Sequence, residues 1–450
     1  MKKLIHTFKN IWAIDELKSK ILVTLALVLT YRLGTQITLP GIDRIGLEKA
    51  ISSGETGKGL LGIFDMFAGG AFSQASILAL GIMPYISASI FMQLVTILVP
   101  QMAKIQKEGE SGRKKMNQIT RWLTILITLV QGPGYIYNLY TTLPPSAFLL
   151  GFDSFQFLFS SVLILTTGTI FAMWLGEKIT DKGIGNGISL LIMVGILARL
   201  PQAFIQEFTT RVTNNNGGPM LLVIEIIVWL LVIISCVLLV MAVRKIPVQY
   251  ARRTSTGDYE QDVMGGNRQW IPLKLNAAGV MPIIFAQAIM FIPAAVAGLS
   301  KSDASQSIVG AFSNMFGFWY NLVFATLIVV FTFFYTAITV PTNKMSDDLK
   351  RSGGFIPGVK PGVETSDFLD KVMSLITFPG SLFLALIAVF PAIVVSVMDV
   401  QQSWAMFFGG TSLIIMVGVA IDTMQQINSY LLNQHYDGLM KTGKNRKAVA

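Results

Sequence analysis

Apolar stretches long enough to cross a bilayer recur along the chain and are separated by shorter polar segments. A transmembrane helix needs about 20 consecutive, mainly apolar residues. The sequence contains ten such stretches, at about 21–39, 74–99, 119–139, 156–175, 187–206, 219–242, 276–297, 318–340, 372–395 and 406–428. The pattern therefore predicts an all-α polytopic membrane protein with ten transmembrane helices.

Ten spans divide into two halves of five, and an odd number of spans forces the second half to enter the membrane inverted relative to the first. Inverted halves often place a pathway at their interface. We predict an N-terminal half at 21–206 and a C-terminal half at 207–428, flanked by an amphipathic segment at 1–20 and a tail at 429–450. No clear sequence repeat relates the halves, so this symmetry rests on the count alone.

Charged residues are scarce and unevenly distributed. The chain is 52% hydrophobic and 13% charged, whereas about a quarter of the residues in a soluble protein are charged. Most of the Lys and Arg residues behind the net charge of +10 lie in segment 1–20, in the even-numbered connections and in the tail. The positive-inside bias then predicts that both termini are cytoplasmic. This basic face would attract anionic lipid, and it also suits ribosomal RNA or an acidic partner.

Candidate chemistry is sparse. The two histidines, His6 and His435, lie at opposite ends of the chain, and the single cysteine, Cys236, lies in an apolar run. These residues cannot assemble a metal cluster or a histidine-based catalytic set. The chain also lacks a P-loop lysine motif. We therefore expect no catalytic residue, no metal and no cofactor, and any energy would come from a partner or a gradient.

The glycine-rich stretch Gly183-Ile184-Gly185-Asn186-Gly187 superficially resembles a nucleotide-binding loop. It follows a membrane helix rather than a strand, which argues against dinucleotide binding. We expect a tight cytoplasmic turn in which Asn186 or a neighbour caps the next helix.

A long cytoplasmic connection is predicted at about 244–275. Functional surfaces tend to lie on such loops. Ile246, Val248 and Tyr250 alternate with polar residues, as in a strand. A strand-like return through 269–275 would make a protruding hairpin, and the alternative is a solvated loop.

A second long cytoplasmic connection is predicted at about 343–371. It carries Pro-Gly turns at 357–358 and 361–362. Because such turns are rigid, they hold Lys360 near a fixed tip.

The segment at 60–70 is too short to cross the membrane and too apolar for an ordinary exterior loop. It predicts either a short helix that folds back into the protein or an interfacial helix that lies flat on the membrane. Shortly after it, Gly81 and Pro84 lie inside the second predicted span. A proline in a helix interior removes a hydrogen bond, so we expect a kink there.

Polar groups inside the predicted spans are few. Each charge within the bilayer costs about 2.5–3.5 kcal/mol on insertion scales. We expect Arg32 and Asp422 to bind neighbouring helices or each other, and Glu225 to reach the outer interface. These few charged residues argue against an ion-coupled transporter, which usually has several carboxylates near its midplane. Three predicted spans also contain an uncharged polar residue, and these are Ser87, Gln131 and Asn276. Such a residue most often forms an ordinary hydrogen bond between helices.

These motifs resemble the SecY family of protein-conducting channel subunits, and the resemblance spans nearly the whole chain. The matching text includes Tyr31-Arg32-Leu33-Gly34, Phe67-Ala68-Gly69-Gly70, Gly81-Ile82-Met83-Pro84, Lys107-Glu108-Gly109-Glu110-Ser111-Gly112-Arg113, Gly183-Ile184-Gly185-Asn186-Gly187, Ile246-Pro247-Val248-Gln249-Tyr250 and Phe355-Ile356-Pro357-Gly358. Many motifs in the same order are more specific than any one of them.

The resemblance implies an hourglass pore between the two five-helix halves, closed by a plug at about 60–72 and by a ring of isoleucines. The implied plug residues are Ile63, Phe64, Met66, Phe67, Ala68, Gly69 and Gly70. The implied ring residues are Ile82, Ile86, Ile188, Ile192, Ile284 and Ile415. An apolar ring can exclude water and ions by dewetting and still deform around a passing chain.

The resemblance also implies a lateral gate between spans two and three and spans seven and eight, closed by Ser87, Gln131 and Asn276. Such hydrogen bonds contribute about 0.6 kcal/mol each in a membrane, so an arriving signal helix can displace them. The implied function is to pass unfolded secretory polypeptides across the bacterial plasma membrane and to release hydrophobic segments sideways into lipid.

The partners implied by the resemblance are SecE-like and SecG-like small membrane subunits, the motor ATPase SecA, the ribosome, secretory and membrane preproteins, and anionic lipids. ATP hydrolysis would take place in the motor. The implied docking residues are Tyr250, Arg252, Arg253, Pro357, Gly358 and Lys360. The family commonly has arginine where this chain has Lys360, and lysine keeps the charge but loses the planar fork of the guanidinium.

Two other classes of function remain open from the residues alone. A secondary transporter shares ten helices, inverted halves and glycine-broken spans, but the apolar ring and the long cytoplasmic loops favour a translocation channel. A membrane-embedded enzyme would need nucleophile, acid, base or metal ligands clustered in one cavity, and the sequence suggests no such cluster.

Overall fold

The computed structural model describes residues 12, 14–43, 46–47, 65, 68–143, 148, 154–213, 218–250, 268–287, 289–290 and 315–447. The helices before the first strand are α1 Asp15–Gly34, α2 Met83–Leu98, α3 Pro100–Lys107, α4 Glu110–Thr142, α5 Ser154–Lys182, α6 Gly187–Thr213 and α7 Gly218–Met241. The later elements are β1 Val243–Tyr250, β2 Arg268–Lys274, α8 Phe318–Thr339, α9 Thr342–Arg351, β3 Gly354–Phe355, α10 Val363–Met398, α11 Gln402–Ala405 and α12 Gly410–Lys447. A further helical segment covers 281–287.

Several helices are long and apolar enough to cross a membrane. Within the described residues there are six such segments, Phe155–Lys182, Gly187–Thr213, Gly218–Met241, Phe318–Arg351, Val363–Met398 and Gln402–Leu432. A pair bent by 107°, Met83–Thr96 with Pro100–Gln106, brings the number to seven if it forms one span. Helices α1 and α4 lie at the first and third predicted spans. The predicted multi-pass helical membrane protein is confirmed, and the count of ten is consistent with these helices.

The chain forms two compact units. The first, which we call the N unit, comprises Met1–Gln206 and Val419–Ala450, and the second, the C unit, comprises Glu207–Gly418. One buried cluster of the N unit is built around Leu39, Ile136 and Leu165. In the C unit, aromatic side chains pack around Trp404, whose partners are Trp229, Phe407 and Phe408.

The residues just before α2 differ from the sequence-based expectation. Residues 68–81 form successive turns instead of the first half of a span. Helix α2 begins at Met83, and Pro84 lies in its first turn, where the missing N–H has no intrahelical partner to lose. The predicted kink at Pro84 is therefore wrong. Backbone hydrogen bonds of 2.8 and 2.9 Å join the turns to the stretch 37–39, which satisfies buried backbone groups that a helix would have paired internally.

The hairpin predicted in the first long connection is confirmed. Strands β1 and β2 pair antiparallel, and β3 pairs with the other edge of β1, which gives the order β2-β1-β3. The apolar side chains of β1 that alternate in the sequence, Ile246 and Val248, are buried with Leu273 of β2. They pack against Leu349 of α9 and Leu369 of α10. The hairpin is thus fixed to the helices at its base.

The predicted glycine turn before α6 is also confirmed. Gly185 has a φ of +82°, a left-handed conformation that glycine adopts without steric cost. The Asn186 Oδ1 atom accepts hydrogen bonds from the backbone N–H groups of Ile188 (3.2 Å) and Ser189 (3.4 Å). The Gly185 N–H donates to the Gln426 side chain at 2.8 Å. The turn therefore caps α6 and joins it to α12 within the N unit.

Replacing Asn186 with alanine is expected to destabilise the first turn of α6 by about 1 kcal/mol, because two helical N–H groups lose their acceptor. Hydrogen exchange at Ile188 and Ser189 should then be about fivefold faster, by the conversion of that energy into an equilibrium constant. Asn186→Asp keeps the acceptor and should exchange like the wild type. Unchanged exchange in Asn186→Ala would show that the side chain does not cap the helix.

Candidate functional site

One face of α6 carries two of the isoleucines assigned to the ring. Ile188, Ile192, Gly195 and Arg199 follow one another at spacings of four, three and four residues, which puts them in one line along a helix. Arg199 lies seven residues beyond Ile192, about 10 Å along the axis at 1.5 Å per residue. An apolar stripe and a charged side chain therefore share one face.

The isoleucines around α2 lie beside this face. The Ile86 N–H donates to the Ile82 carbonyl at 3.1 Å, so the two side chains lie one helical turn apart. Ile82, Ile86 and Ile188 belong to one cluster with Tyr31 and Leu175. The N unit thus brings three of the assigned ring residues into one apolar cluster.

The other two assigned ring residues belong to the C unit. Ile284 lies in the helical segment 281–287, and Ile415 lies near the start of α12. Ile415 is 3% exposed. The complete ring of six stays a prediction.

Part of the predicted plug is described. We call Asp65 together with residues 68–73 the plug end. Ala68, Gly69 and Gly70 belong to it, and all three are buried. The remaining assigned plug residues lie outside the described residues and are Ile63, Phe64, Met66 and Phe67.

Asp65 organises the plug end and ties it to α6. Its carboxylate accepts the Ser73 N–H at 2.7 Å and forms an ion pair with the Arg199 guanidinium. Its backbone carbonyl accepts the Gly70 N–H at 2.8 Å. Arg199 also donates from Nη2 to the Ser73 hydroxyl at 2.7 Å. Because Asp65 is only 6% exposed, its charge depends on these partners.

A second arginine holds the plug end from α1. The Arg32 Nη1 atom donates to the Gly69 carbonyl at 2.9 Å. Arg32 thus bonds a neighbouring segment, and the alternative of a pair with Asp422, which is exposed, is not observed. A charge-assisted hydrogen bond to a carbonyl is stronger than a neutral one.

Two glycines allow this close approach. Gly69 has a φ of +65°, and a Cβ there would lie 2.8 Å from the Gly195 Cα and 2.9 Å from Arg32 Nη1. Gly70 has a φ of +91°, and its Cβ would lie 3.0 Å from Arg199 Nε. A larger residue at Gly69 would therefore collide with the backbone of α6, and one at Gly70 would displace the Arg199 side chain, with a strained backbone at both positions.

The three residues assigned to the lateral gate lie in both units. In the N unit, the Ser87 hydroxyl donates to the Met83 carbonyl of its own helix at 3.2 Å, and Gln131 is exposed. In the C unit, the Asn276 Oδ1 atom is buried and has no hydrogen-bond partner among the described residues. The gate itself stays a prediction.

The assigned docking residues of the second long connection are exposed. Pro357, Gly358 and Lys360 lie at the surface between β3 and α10. The Lys360 side chain is 84% exposed and lies 3.5 Å from Glu364. Tyr250 ends β1 and pairs with Gly354 of β3. Arg252 and Arg253 lie outside the described residues.

A buried ionic cluster in the C unit corrects the expectation that Glu225 reaches the outer interface. Glu225 is fully buried, and Arg211 donates to it from Nε at 3.0 Å. Arg211 also forms an ion pair with Glu207 at 2.8 Å and donates to the carbonyls of Met398 (2.8 Å) and Asp399 (3.2 Å). The cluster therefore joins the ends of α6 and α10 to α7.

The functional residues predicted from the sequence do not include Asp65, Ser73, Arg199, Glu207 or Arg211. One signal was available, because Arg199 is a charged residue near the end of the fifth predicted span, where charge is costly. Within the described part of the chain, no group of three or more His, Cys, Asp or Glu residues could hold a metal ion.

Comparison with known proteins gives the family. A family model described as SecY matches residues 76–424. The chain belongs to the SecY family. A relative from Streptomyces scabiei, named protein translocase subunit SecY, is 38% identical over 446 residues. The alignment covers 97% of this chain and 100% of the relative. The relative of the same name from Haemophilus influenzae is 39% identical, over 95% of this chain and 94% of its own.

Solved structures of SecY-type channels share the fold. One is a SecY structure that matches with a TM-score of 0.54 and 16% identity over 92% of each chain. In that protein, the plug domain is described as stabilising the closed state of the channel. The idle yeast Ssh1 complex bound to the yeast 80S ribosome matches with a TM-score of 0.60 and 14% identity, over 91% of this chain and 89% of that one. This SecY-family chain is therefore a multi-pass protein translocase subunit with the fold of a protein-conducting channel.

Proposed function

We propose that this chain forms the passage through which unfolded secretory polypeptides cross the bacterial plasma membrane, with both termini in the cytoplasm. The observation that carries the proposal is the shared face of α6, where Ile188 and Ile192 are followed by the contacts of the plug end. An apolar constriction with a removable segment just beyond it is what a sealed polypeptide channel requires.

The constriction is proposed to be a ring of six isoleucines, Ile82, Ile86, Ile188, Ile192, Ile284 and Ile415. Isoleucine offers no hydrogen bond to a passing chain, so the ring does not retain the substrate. Its side chains are large enough to exclude water when no substrate is present. The apolar cluster of Ile82, Ile86 and Ile188 supports this role.

Sideways release into lipid is proposed at a gate that includes Ser87, Gln131 and Asn276. The buried Asn276 Oδ1 atom, which has no hydrogen-bond partner among the described residues, supports a polar contact with a partner at this point. A sufficiently hydrophobic segment gains more by leaving for lipid than the gate loses in weak hydrogen bonds.

Partners are proposed from the family and from the cytoplasmic surface. The exposed Lys360 and the sheet of β1, β2 and β3 offer a firm basic platform for the ribosome and for a SecA motor, which would hydrolyse the ATP. SecE-like and SecG-like subunits would cover part of the exposed apolar helix surface, including Leu25 and Leu29 of α1.

The test is photocrosslinking of a stalled secretory chain to this protein in membranes reconstituted with the small subunits and the motor. A probe in the mature part of the substrate is expected to label Ile86 and Ile192. Leu25 of α1, which is 59% exposed in this chain and lies outside the proposed ring, serves as a control and should remain unlabelled. Translocation with labelling only on the cytoplasmic loops would make this chain a docking subunit and would refute the proposed passage.

A further inference from the structure

The plug end meets the rest of the N unit through charged groups and through Phe72, which packs against Tyr135 and whose carbonyl accepts the Tyr135 hydroxyl at 2.8 Å. Asp65 contributes one negative charge, and Arg199 faces it from α6 while Arg32 reaches Gly69 from α1. Two positive side chains therefore hold a segment with one negative side chain. These charged contacts are additional to the apolar packing of Phe72, which alone would be expected of a simple stopper.

The contacts are specific in geometry. The Asp65 carboxylate is shared between Arg199 and the Ser73 N–H, while Ser73 also accepts from Arg199 through its hydroxyl. Arg199, Asp65 and Ser73 thus form a closed set in which each member contacts the other two. Such a set has one favoured arrangement and loses all its contacts together when the segment moves.

The strength of this set depends on whether water is present. An ion pair in a dry protein interior is much stronger than the same pair in water, because the effective dielectric constant rises when water enters. The sealed state therefore strengthens the pair, and a hydrated pore weakens it. A closed pore would thus stabilise the ion pair that keeps it closed, and an open, hydrated pore would weaken that pair further. A channel of this kind has two stable states, as a switch does.

We propose that Arg199 and Arg32 latch the plug end, and that the Asp65–Arg199 ion pair sets the threshold at which the resting channel opens. The proposal rests on the proposed function and adds the residues that regulate it. Arg199 is a positioning residue for the plug end and lies seven residues beyond Ile192 on the same face of α6. A substrate needs to break the latch only once, when it first enters the pore.

The test compares resting ion conductance in planar bilayers for D65N, R199Q and the charge exchange D65R/R199D, each assembled with its small membrane subunits. Asp65 is buried and Arg199 is partly buried, and removing one partner of such an ion pair is unfavourable, so both single variants should raise resting conductance at least about tenfold. The charge exchange restores attraction and should return the conductance toward that of the wild type. R32Q, which loses one hydrogen bond, should have a smaller effect than R199Q.

A matched control is R121Q. Arg121 forms a two-point ion pair with Glu177, at 3.1 and 2.6 Å, between α4 and α5 of the same unit and away from the plug end. This variant should conduct like the wild type. Translocation gives a second readout, since R199Q should export a preprotein with a weakened signal sequence better than the wild type does while it exports a normal preprotein equally well.

A crosslinked variant keeps the test independent of folding defects. In D65C/R199C, a short thiol crosslinker should block translocation of a normal preprotein, and the untreated variant should be leaky. Wild-type conductance in R199Q and D65N, or equal leakage in D65R/R199D and the single variants, would overturn the latch. If the wild-type complex translocates no preprotein, the proposed function fails instead, so the two failures are distinguishable.

Discussion

A channel that carries serine at both Ile86 and Ile192 is expected to conduct small ions at rest. Both positions belong to the proposed ring, and Ile192 is only 7% exposed. An apolar constriction stays closed to ions because water in it cannot find hydrogen-bond partners. Two hydroxyl groups would supply such partners, and the smaller side chains would widen the constriction.

The expected effect is large. Burying an isoleucine side chain is favourable by about 1.5–3 kcal/mol relative to leaving it in water. If each substitution lowers the cost of hydrating the constriction by about 1.5 kcal/mol, the two together lower it by about 3 kcal/mol. Because 1.4 kcal/mol is a factor of ten, the hydrated fraction should rise on the order of a hundredfold.

Bilayer conductance without substrate or motor is the measurement, and two variants control it. Ile86→Val with Ile192→Val keeps the ring apolar and should remain closed. Phe91→Ser with Leu197→Ser alters the same two helices at exposed positions, 52% and 40%, and should also remain closed. If the exposed pair leaks as much as the ring pair, general loosening of the helices is the cause and the ring assignment is wrong.

Local patterns predicted those elements whose cause lies within a few residues. Alternating apolar residues at 246 and 248 indicated a strand, because the side chains of a strand alternate between faces, and both residues are buried in β1. The glycines around Asn186 indicated a capped turn, because left-handed backbone and a side-chain acceptor are local requirements. Both elements occur as predicted.

Hydropathy alone failed where an apolar segment is buried without being a helix. Residues 74–81 are apolar enough to resemble the start of a span, yet they form turns hydrogen-bonded to 37–39. A window of hydrophobicity measures the cost of exposing side chains and carries no information about where the backbone hydrogen bonds go. The same limit explains the kink wrongly expected at Pro84.

The charged contacts of the plug end could not be paired from the sequence. Arg199 and Asp65 are separated by most of the N-terminal half, and only the fold brings them together. The position of Arg199 near the end of a predicted span was a usable sign that a buried partner exists. The identity of that partner depends on how residues 68–73 turn back toward α6, which is a property of tertiary packing.

The C unit is expected to lose much of its stability when Arg211 is replaced with methionine. Arg211 is 3% exposed, and its partners are two buried carboxylates, Glu207 and Glu225, and two backbone carbonyls. Methionine fills a similar volume but cannot neutralise either carboxylate. Breaking a buried ion pair by removing one partner typically costs about 3–5 kcal/mol.

Arg211→Lys separates charge from geometry. Lysine keeps the positive charge but has no planar fork, so it cannot serve two carboxylates and two carbonyls at once. We expect its loss of stability to be intermediate. The free energy of unfolding of the wild type, Arg211→Met and Arg211→Lys is measured by denaturant unfolding in detergent, followed by tryptophan fluorescence. Trp404 in the C unit core is one of the side chains that report the transition.

The decisive control removes all the charges together. A variant with Glu207→Gln, Glu225→Gln and Arg211→Met has no unpaired buried charge, so it should be more stable than Arg211→Met alone even though it carries two more substitutions. If the triple variant is as unstable as the single one, the lost bonds to the Met398 and Asp399 carbonyls account for the destabilisation. The cluster would then act as a cap on the end of α10 rather than as a charge-balanced core of the C unit.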